Sequence, residues 1–354
     1  MMRAAVYHGA GDVRVESVTA PGEPGPGELL LAPRMGAICG TDASEFAHGP
    51  HMIPLHEPHP GSGCVGPLVM GHEFVARVEA VGAGVEGIAV GDRVVSGAGV
   101  SCGECEWCRA GRTNLCASYY TLGLSAPGGL AELVTSPAAI CHVVPPAVAD
   151  EGAAMAQPLA VAIHALDRGG VGAGQTLAVL GVGGIGAFVV GAAATRGLER
   201  LIAVDVDPAK LALAEALGAD EVVDASDQDV SAAIREATAG DGADVVMEAS
   251  GVPANPSNAI HAAKRGGRVV IVGLIAEPPP VDVFDAALRE VELATTVAHI
   301  CDTNLPESLA VLAQTEVAAQ VLDRVIPLER IVEDGLAPLA EGRAGGKIVV
   351  EVTP

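Results

Sequence analysis

The chain has 354 residues, half of them hydrophobic and only 2% aromatic, with 44 acidic against 20 basic side chains for a formal charge of −24. That length exceeds one ordinary core and predicts two domains, whose interiors must be filled with Ala, Val, Leu and Ile. The acidic balance excludes a phosphate-tracking basic surface, so nucleic acid is not an expected partner. A membrane span is not expected either, because the apolar stretch from Thr176 to Val190 is broken by four glycines within six positions.

In chain order, Met1 to Tyr7 reads as a short strand with no basic segment leading into an apolar run, which predicts a cytoplasmic protein. Up to about residue 155, Gly and Pro clusters separate short Val-rich runs such as 74–81 and 93–95, the pattern of a β-rich domain with many turns. Between Phe46 and Leu68, Pro, His and Gly crowd together and predict a long irregular loop, the kind of segment that shapes a substrate pocket. From about 156 to 295 the texture changes. Apolar strands at 176–180, 200–204, 245–248 and 268–272 alternate with Ala-rich helical patterns at 185–196, 208–217 and 230–237. This alternation predicts an α/β fold with a doubly wound parallel sheet. A last strand beginning at Lys347 is expected to rejoin the first domain.

The 176–180 strand runs into Gly181-Val-Gly183-Gly184-Ile185-Gly186 and then a helix. Gly181 permits the tight turn, Gly183 lets the backbone approach a pyrophosphate, and Gly186 lets helix and strand pack closely, with the helix N-terminus offering free N–H groups to the anion. Asp205 ends the next strand, nineteen residues after Gly186. A carboxylate there binds ribose hydroxyls and repels a 2′-phosphate, so NAD is expected over NADP. Lys210 is within reach of the same ribose, and Gly184, Ile185 and Gly273 complete the expected cofactor contacts.

Of eight cysteines, Cys102, Cys105, Cys108 and Cys116 lie within fifteen positions. In a long chain without a secretion signal this clustering reads as metal ligation before disulfides. Four sulfurs around one zinc make a closed tetrahedral site with no open position, a structural role. Two further segments carry metal-ligand residue types: Cys39-Gly-Thr41-Asp42, and Gly71-His72-Glu73 on a turn entering a strand. A catalytic zinc takes three such ligands and keeps a position open.

Taken together, Gly71-His-Glu, Gly91-Asp-Arg-Val, the four-cysteine lobe, Gly181-Val-Gly-Gly-Ile-Gly, Gln157-Pro-Leu-Ala-Val and Gly346-Lys-Ile-Val-Val resemble the zinc-containing medium-chain dehydrogenases, and within them the butanediol, sorbitol and glucose dehydrogenase branch. The resemblance spans nearly the whole chain. It implies a GroES-like catalytic domain of residues 1–155 and 296–354 with a structural zinc lobe, and a Rossmann NAD-binding domain of residues 156–295. It implies a catalytic zinc among Cys39, His72 and Glu73, with the fourth protein position at residue 157. Most relatives carry an acid there. Gln157 is neutral and ligates directly, through water, or weakly, and leaves the metal more Lewis-acidic than a second carboxylate would. Thr41 stands where the family uses a hydroxyl to receive the alcohol proton, its plainer role being a turn-stabilising hydroxyl. Relatives often place a His five residues after the Cys; Ser44 stands there, which leaves His48, His51 or solvent to continue the relay.

The implied activity is zinc-dependent, NAD-linked oxidation of a secondary alcohol, vicinal diol or polyol to a ketone, and the reverse, by hydride transfer. A sugar 1-dehydrogenase of the same family is the alternative. The implied cofactors are NAD(H) and two zinc ions per chain, and the implied assembly is a homodimer or homotetramer. Two rival readings are a zinc-free reductase of the same fold, disfavoured by the Cys39/His72 pair and the cysteine lobe, and a non-catalytic NAD-binding protein. Metal content discriminates both from the enzyme.

Overall fold

The computed structural model describes residues 1–275 and 277–353. The chain folds into two compact units, Met1–Ala160 with His299–Pro354, and Val161–Ala298. No helix among the described residues is long and apolar enough to cross a membrane.

The first unit is built on a sheet in the spatial order Cys141–Val143, Arg93–Ser96, Glu73–Val81, Glu28–Ala37, Lys347–Glu351 and Leu322–Pro327. Strand Val134–Pro137 also pairs with Glu28–Ala37. Leu29 and Leu31 alternate inward from strand Glu28–Ala37, as a period of two demands, and pack in one core with Phe74, Ala76, Val78 and Val94. A second core gathers Ile38, Met70, Leu130, Ile326, Ile348 and Val350. The C-terminal strand therefore joins the first domain's sheet, antiparallel to Glu28–Ala37 and parallel to Leu322–Pro327. A smaller sheet pairs Met2–Gly9 with Asp12–Val18 and Leu68–Val69.

The irregular region expected over 46–68 begins later than its composition indicates. Gly40–His48 is a helix, so the loop proper starts at Gly49. Asp42, in the helix's first turn, reaches back to accept a hydrogen bond from the Cys39 N–H at 2.9 Å, which satisfies a backbone donor left free by the helix start.

The second unit is a six-stranded, wholly parallel sheet ordered Glu221–Asp224, Arg200–Asp205, Thr176–Leu180, Ala243–Glu248, Ala263–Ile271 and Glu292–Thr295. The sequence order of the strands reverses between Thr176–Leu180 and Ala243–Glu248, where an open α/β sheet leaves a crevice at its carboxyl ends. Helices Gly184–Ala193, Pro208–Ala216 and Val230–Ala237 cover the sheet. The first stops short of the 196 expected because a 3-10 turn, Ala194–Arg196, tightens its end and Gly197 adopts φ +68°. Strand Ala263–Ile271 starts five residues before the expected 268, across a register shift opposite Ala243–Val245.

Candidate functional site

Register brings the first group of ligand residues together. Ala37, the last residue of its strand, pairs with Glu73 on one side and Val349 on the other. The end of one strand thus meets the beginning of its two antiparallel neighbours, and Cys39, Glu73 and Lys347 converge from positions far apart in sequence. The ligand atoms of Cys39, His72 and Glu73 lie within 4.8 Å of one another. His72 and Glu73 are buried and Cys39 is half-buried.

Two residues with no assigned role in the sequence reading hold this trio. Asp42, completely buried, places Oδ1 3.5 Å from His72 Nδ1, an ion-pair approach without hydrogen-bond geometry. Asp42 so faces one ring nitrogen from outside the trio, the arrangement by which a carboxylate orients a metal-ligating imidazole. Lys347, also buried, donates to Glu73 Oε2 at 2.5 Å and to the Ile38 carbonyl at 3.1 Å. Glu73 Oε1 is buried without a hydrogen-bond partner.

Burial alone would push the His72 ring toward its neutral form, but the charges of Asp42 and Cys39 outweigh it and hold the imidazole well above its ordinary pKa. Lys347 behaves likewise: burial lowers its pKa, and Glu73 first, then Cys39, raise it past the ordinary value. Three acidic groups, Asp42, Glu73 and Cys39, face one ammonium and an imidazole whose ring proton a metal ion would replace. A dication fits that surplus and supplies the partner that Glu73 Oε1 lacks.

Thr41 Oγ1 lies 3.7 Å from Cys39 Sγ, in the first turn of Gly40–His48. Gln157 opens helix Ala156–Gly169 in the same unit and is half-buried. Ser44, His48 and His51 are exposed.

The second group is local. The sulfurs of Cys102, Cys105, Cys108 and Cys116 also lie within 4.8 Å of one another, and none forms a disulfide. Backbone N–H groups are turned toward them: Cys116 Sγ accepts from Cys102 at 3.2 Å and from Ser118 at 3.3 Å. Backbone donors at Cys108 and Ala117 push the Cys105 thiol down to about 6, whereas burial and the neighbouring Cys105 push Cys108 up to about 11. Four sulfurs in a nest of amide donors fit a thiolate-bound ion. Arg112 stacks over Trp107, 5.3 Å from the ring centre, across the same lobe.

The glycine turn of the second unit has the shape a pyrophosphate requires. Gly181 sits at φ +94°, a conformation L side chains rarely adopt. A Cβ on Gly186 would fall 1.9 Å from the Gly181 carbonyl, while Gly183 and Gly184 have open space where theirs would be. The backbone is therefore bare at the start of helix Gly184–Ala193, with Ile185 inside its first turn. Asp205 is tied to this turn: its carboxylate accepts from Val182 N–H at 2.8 Å, Val206 N–H at 2.8 Å and Asp207 N–H at 3.1 Å. Lys210 is half-buried in Pro208–Ala216, and Gly273 follows strand Ala263–Ile271.

Comparison with known proteins gives two family matches: the alcohol dehydrogenase GroES-like domain over residues 25–146 and the zinc-binding dehydrogenase domain over residues 184–314. The chain is 34% identical to the sorbitol dehydrogenase of Homo sapiens over 333 residues, covering 93% of this chain and 90% of that one. It is 32% identical to the (R,R)-butanediol dehydrogenase of Bacillus subtilis over 351 residues, 99% of each. The crystal structure of the 2R,3R-butanediol dehydrogenase from Bacillus subtilis superposes with a TM-score of 0.91 at 31% identity, again over 99% of both chains.

Proposed function

The chain belongs to the zinc-containing medium-chain alcohol dehydrogenases, in the sorbitol- and butanediol-dehydrogenase-like branch, and from that premise we propose that its trio Cys39, His72 and Glu73 carries the NAD-linked oxidation of a secondary alcohol group in a vicinal diol or polyol to a ketone. One observation carries the assignment: a thiol, an imidazole and a carboxylate from two distant segments bring their ligand atoms within 4.8 Å of one another.

When bound, the metal ion supplies Lewis acidity toward an alcohol oxygen and NAD supplies the hydride acceptor. The chain does the positioning. Cys39, His72 and Glu73 would hold the ion; Asp42 fixes the His72 ring, and Lys347 fixes Glu73 by one oxygen and leaves the other free. The neutral side chain of Gln157 adds no further negative charge, and the Thr41 hydroxyl, beside Cys39, would accept the proton the alcohol releases while passing its own on toward solvent. Cys102, Cys105, Cys108 and Cys116 would hold a second ion that fixes their lobe. The bare backbone at Gly183 and Gly184 and the anchored Asp205 would hold NAD, with Ile185, Lys210 and Gly273 beside it. Asp205 disfavours a 2′-phosphate.

The same reading takes the protein to be cytoplasmic and a homodimer or homotetramer. Supporting self-association, Val283, Phe284 and Leu288 are 65%, 76% and 64% exposed on the helix before the edge strand Glu292–Thr295.

The deciding experiment measures metal content and assays a panel of butanediol, sorbitol, glucose and simple alcohols with NAD. Two zinc equivalents, activity lost to a chelator and restored by zinc, and a preference for diols or polyols are expected. Full activity in metal-free protein would end the proposal.

A further inference from the structure

Glu248 is a completely buried carboxyl at the carboxyl end of strand Ala243–Glu248, in the middle of the parallel sheet. Nothing in the reaction described above uses it. A carboxyl is costly to bury, and this one is only half satisfied, since Oε2 has no hydrogen-bond partner. Its other acceptors are heavily used. Oε1 accepts from the Ser250 N–H at 2.9 Å, from the Gly251 N–H at 3.0 Å and from the Ser250 hydroxyl. The Glu248 carbonyl accepts from Val272 N–H at 2.8 Å and Gly273 N–H at 2.9 Å. One residue therefore gathers the turns that leave two adjacent strands.

Those turns meet the glycine turn. The Ala249 N–H donates to the Leu180 carbonyl at 2.8 Å, and a Cβ on Gly181 would fall 2.7 Å from Ser250 Cα. On the other side, a Cβ on Gly273 would fall 2.4 Å from Gly251 N and 2.7 Å from Glu248 Oε2. The contact runs from Gly181 through Ser250 and Glu248 to Gly273, along the carboxyl ends of neighbouring strands at the point where strand order reverses. Ligands of open α/β sheets lie there.

Resting on the dinucleotide reading above, we infer that Glu248 is a positioning residue for the dinucleotide: its Oε1 and its carbonyl hold residues 249–251 and 272–273 in the arrangement the cofactor needs. The acceptor at Oε1 is what the role requires, and a negative charge is not. Glutamine keeps that acceptor at the same reach; aspartate keeps the charge but falls a methylene short.

The test is NADH binding by fluorescence titration in the full chain, with thermal unfolding and steady-state kinetics alongside. Glu248→Ala and Glu248→Asp are expected to weaken NADH binding about tenfold, through the three hydrogen bonds lost at Oε1, and to raise the KM for NAD in proportion. The KM for the diol at saturating NAD should stay within about twofold, because the trio lies in the other unit. Glu248→Gln should restore NADH affinity to within about threefold of the parent. If Glu248→Ala does not fold, Glu248→Asp carries the measurement. Parental NADH affinity in the folded variants overturns the inference, and so does a rise in both KM values together, which marks a merely structural role. A parent chain that binds no NADH overturns instead the function on which the inference rests.

Discussion

The lobe at Cys102–Cys116 draws its four sulfurs from fifteen consecutive residues, whereas Cys39, His72 and Glu73 are gathered from the ends of two paired strands. Amides of the lobe and of the two residues after it point at its sulfurs and hold the Cys105 thiol down. The trio instead depends on side chains from elsewhere: Asp42 from the first turn of a helix, and Lys347, which lies 274 residues from the Glu73 it contacts. A local site is specified by spacing and survives as long as its loop does. A site assembled by sheet register inherits every constraint on that sheet, and its supporting residues matter nearly as much as its ligands.

The largest expected effect tests the trio itself. His72→Ala or Cys39→Ala should cost at least about a hundredfold in turnover, the scale of losing a main electrostatic contributor. Metal content should fall by one equivalent while the lobe keeps its own. Near-parental turnover in either variant would break the comparison at its root.

Next come the supporting residues. Asp42→Asn and Lys347→Met should each weaken zinc retention at the trio by about 10- to 100-fold, as removal of an outer partner of a metal ligand does. Competition against a chromogenic chelator reads this directly. If both variants hold zinc as the parent does, the trio is as self-sufficient as the lobe and the contrast disappears.

The lobe should fail differently. Cys105→Ser is expected to lower the midpoint of thermal unfolding by about 5 °C, while turnover per folded molecule stays within about twofold, because a closed four-sulfur site offers no position to substrate. A collapse of turnover with an unchanged midpoint would reverse the roles assigned to the two centres. Gln157→Ala should be milder still, changing turnover about threefold, since a neutral side chain contributes least to the proposed ligand set. Unchanged turnover and unchanged zinc affinity would remove Gln157 from the site.

The smallest effect concerns protonation in the lobe. With its pKa pushed down to about 6, the Cys105 thiolate contributes to the folded lobe above the ordinary thiol range, and that contribution is lost as the pH falls through about 6. After chelation at neutral pH, alkylation mapped by mass spectrometry should mark Cys105 first and Cys108, raised to about 11, last. Equal labelling of the two would contradict the nest of amides described above.

How much of this was legible in the sequence follows the same division between local and distant. The helix Val230–Ala237 and the strand Thr176–Leu180 coincide with their expected bounds, because apolar periodicity and nearby caps are local signals. The four-sulfur lobe and the glycine turn were legible for the same reason. The helix Gly40–His48 was not, since the residues it buries are Asp42, Ala43 and Glu45, two acids that composition assigns to the surface; the one available signal was Asp42 three residues after Cys39, an acid placed to reach back over a helix start. Lys347 sat within the terminal Gly-Lys-Ile-Val-Val motif as one more strand residue. Only pairing across the sheet shows that it touches Glu73 and the carbonyl of Ile38. Glu248 was read as the end of a strand, and its many acceptor contacts come from turns that composition does not reveal.

The place of Lys347 makes the proposed metal ligands answerable to a distant strand. The Ile38 N–H donates to the Ile348 carbonyl and Glu73 is gripped by Lys347, so both arms of the trio lean on strand Lys347–Glu351. A chain shortened before Lys347 keeps every sulfur and imidazole of the trio, yet loses the cation that steadies its carboxylate.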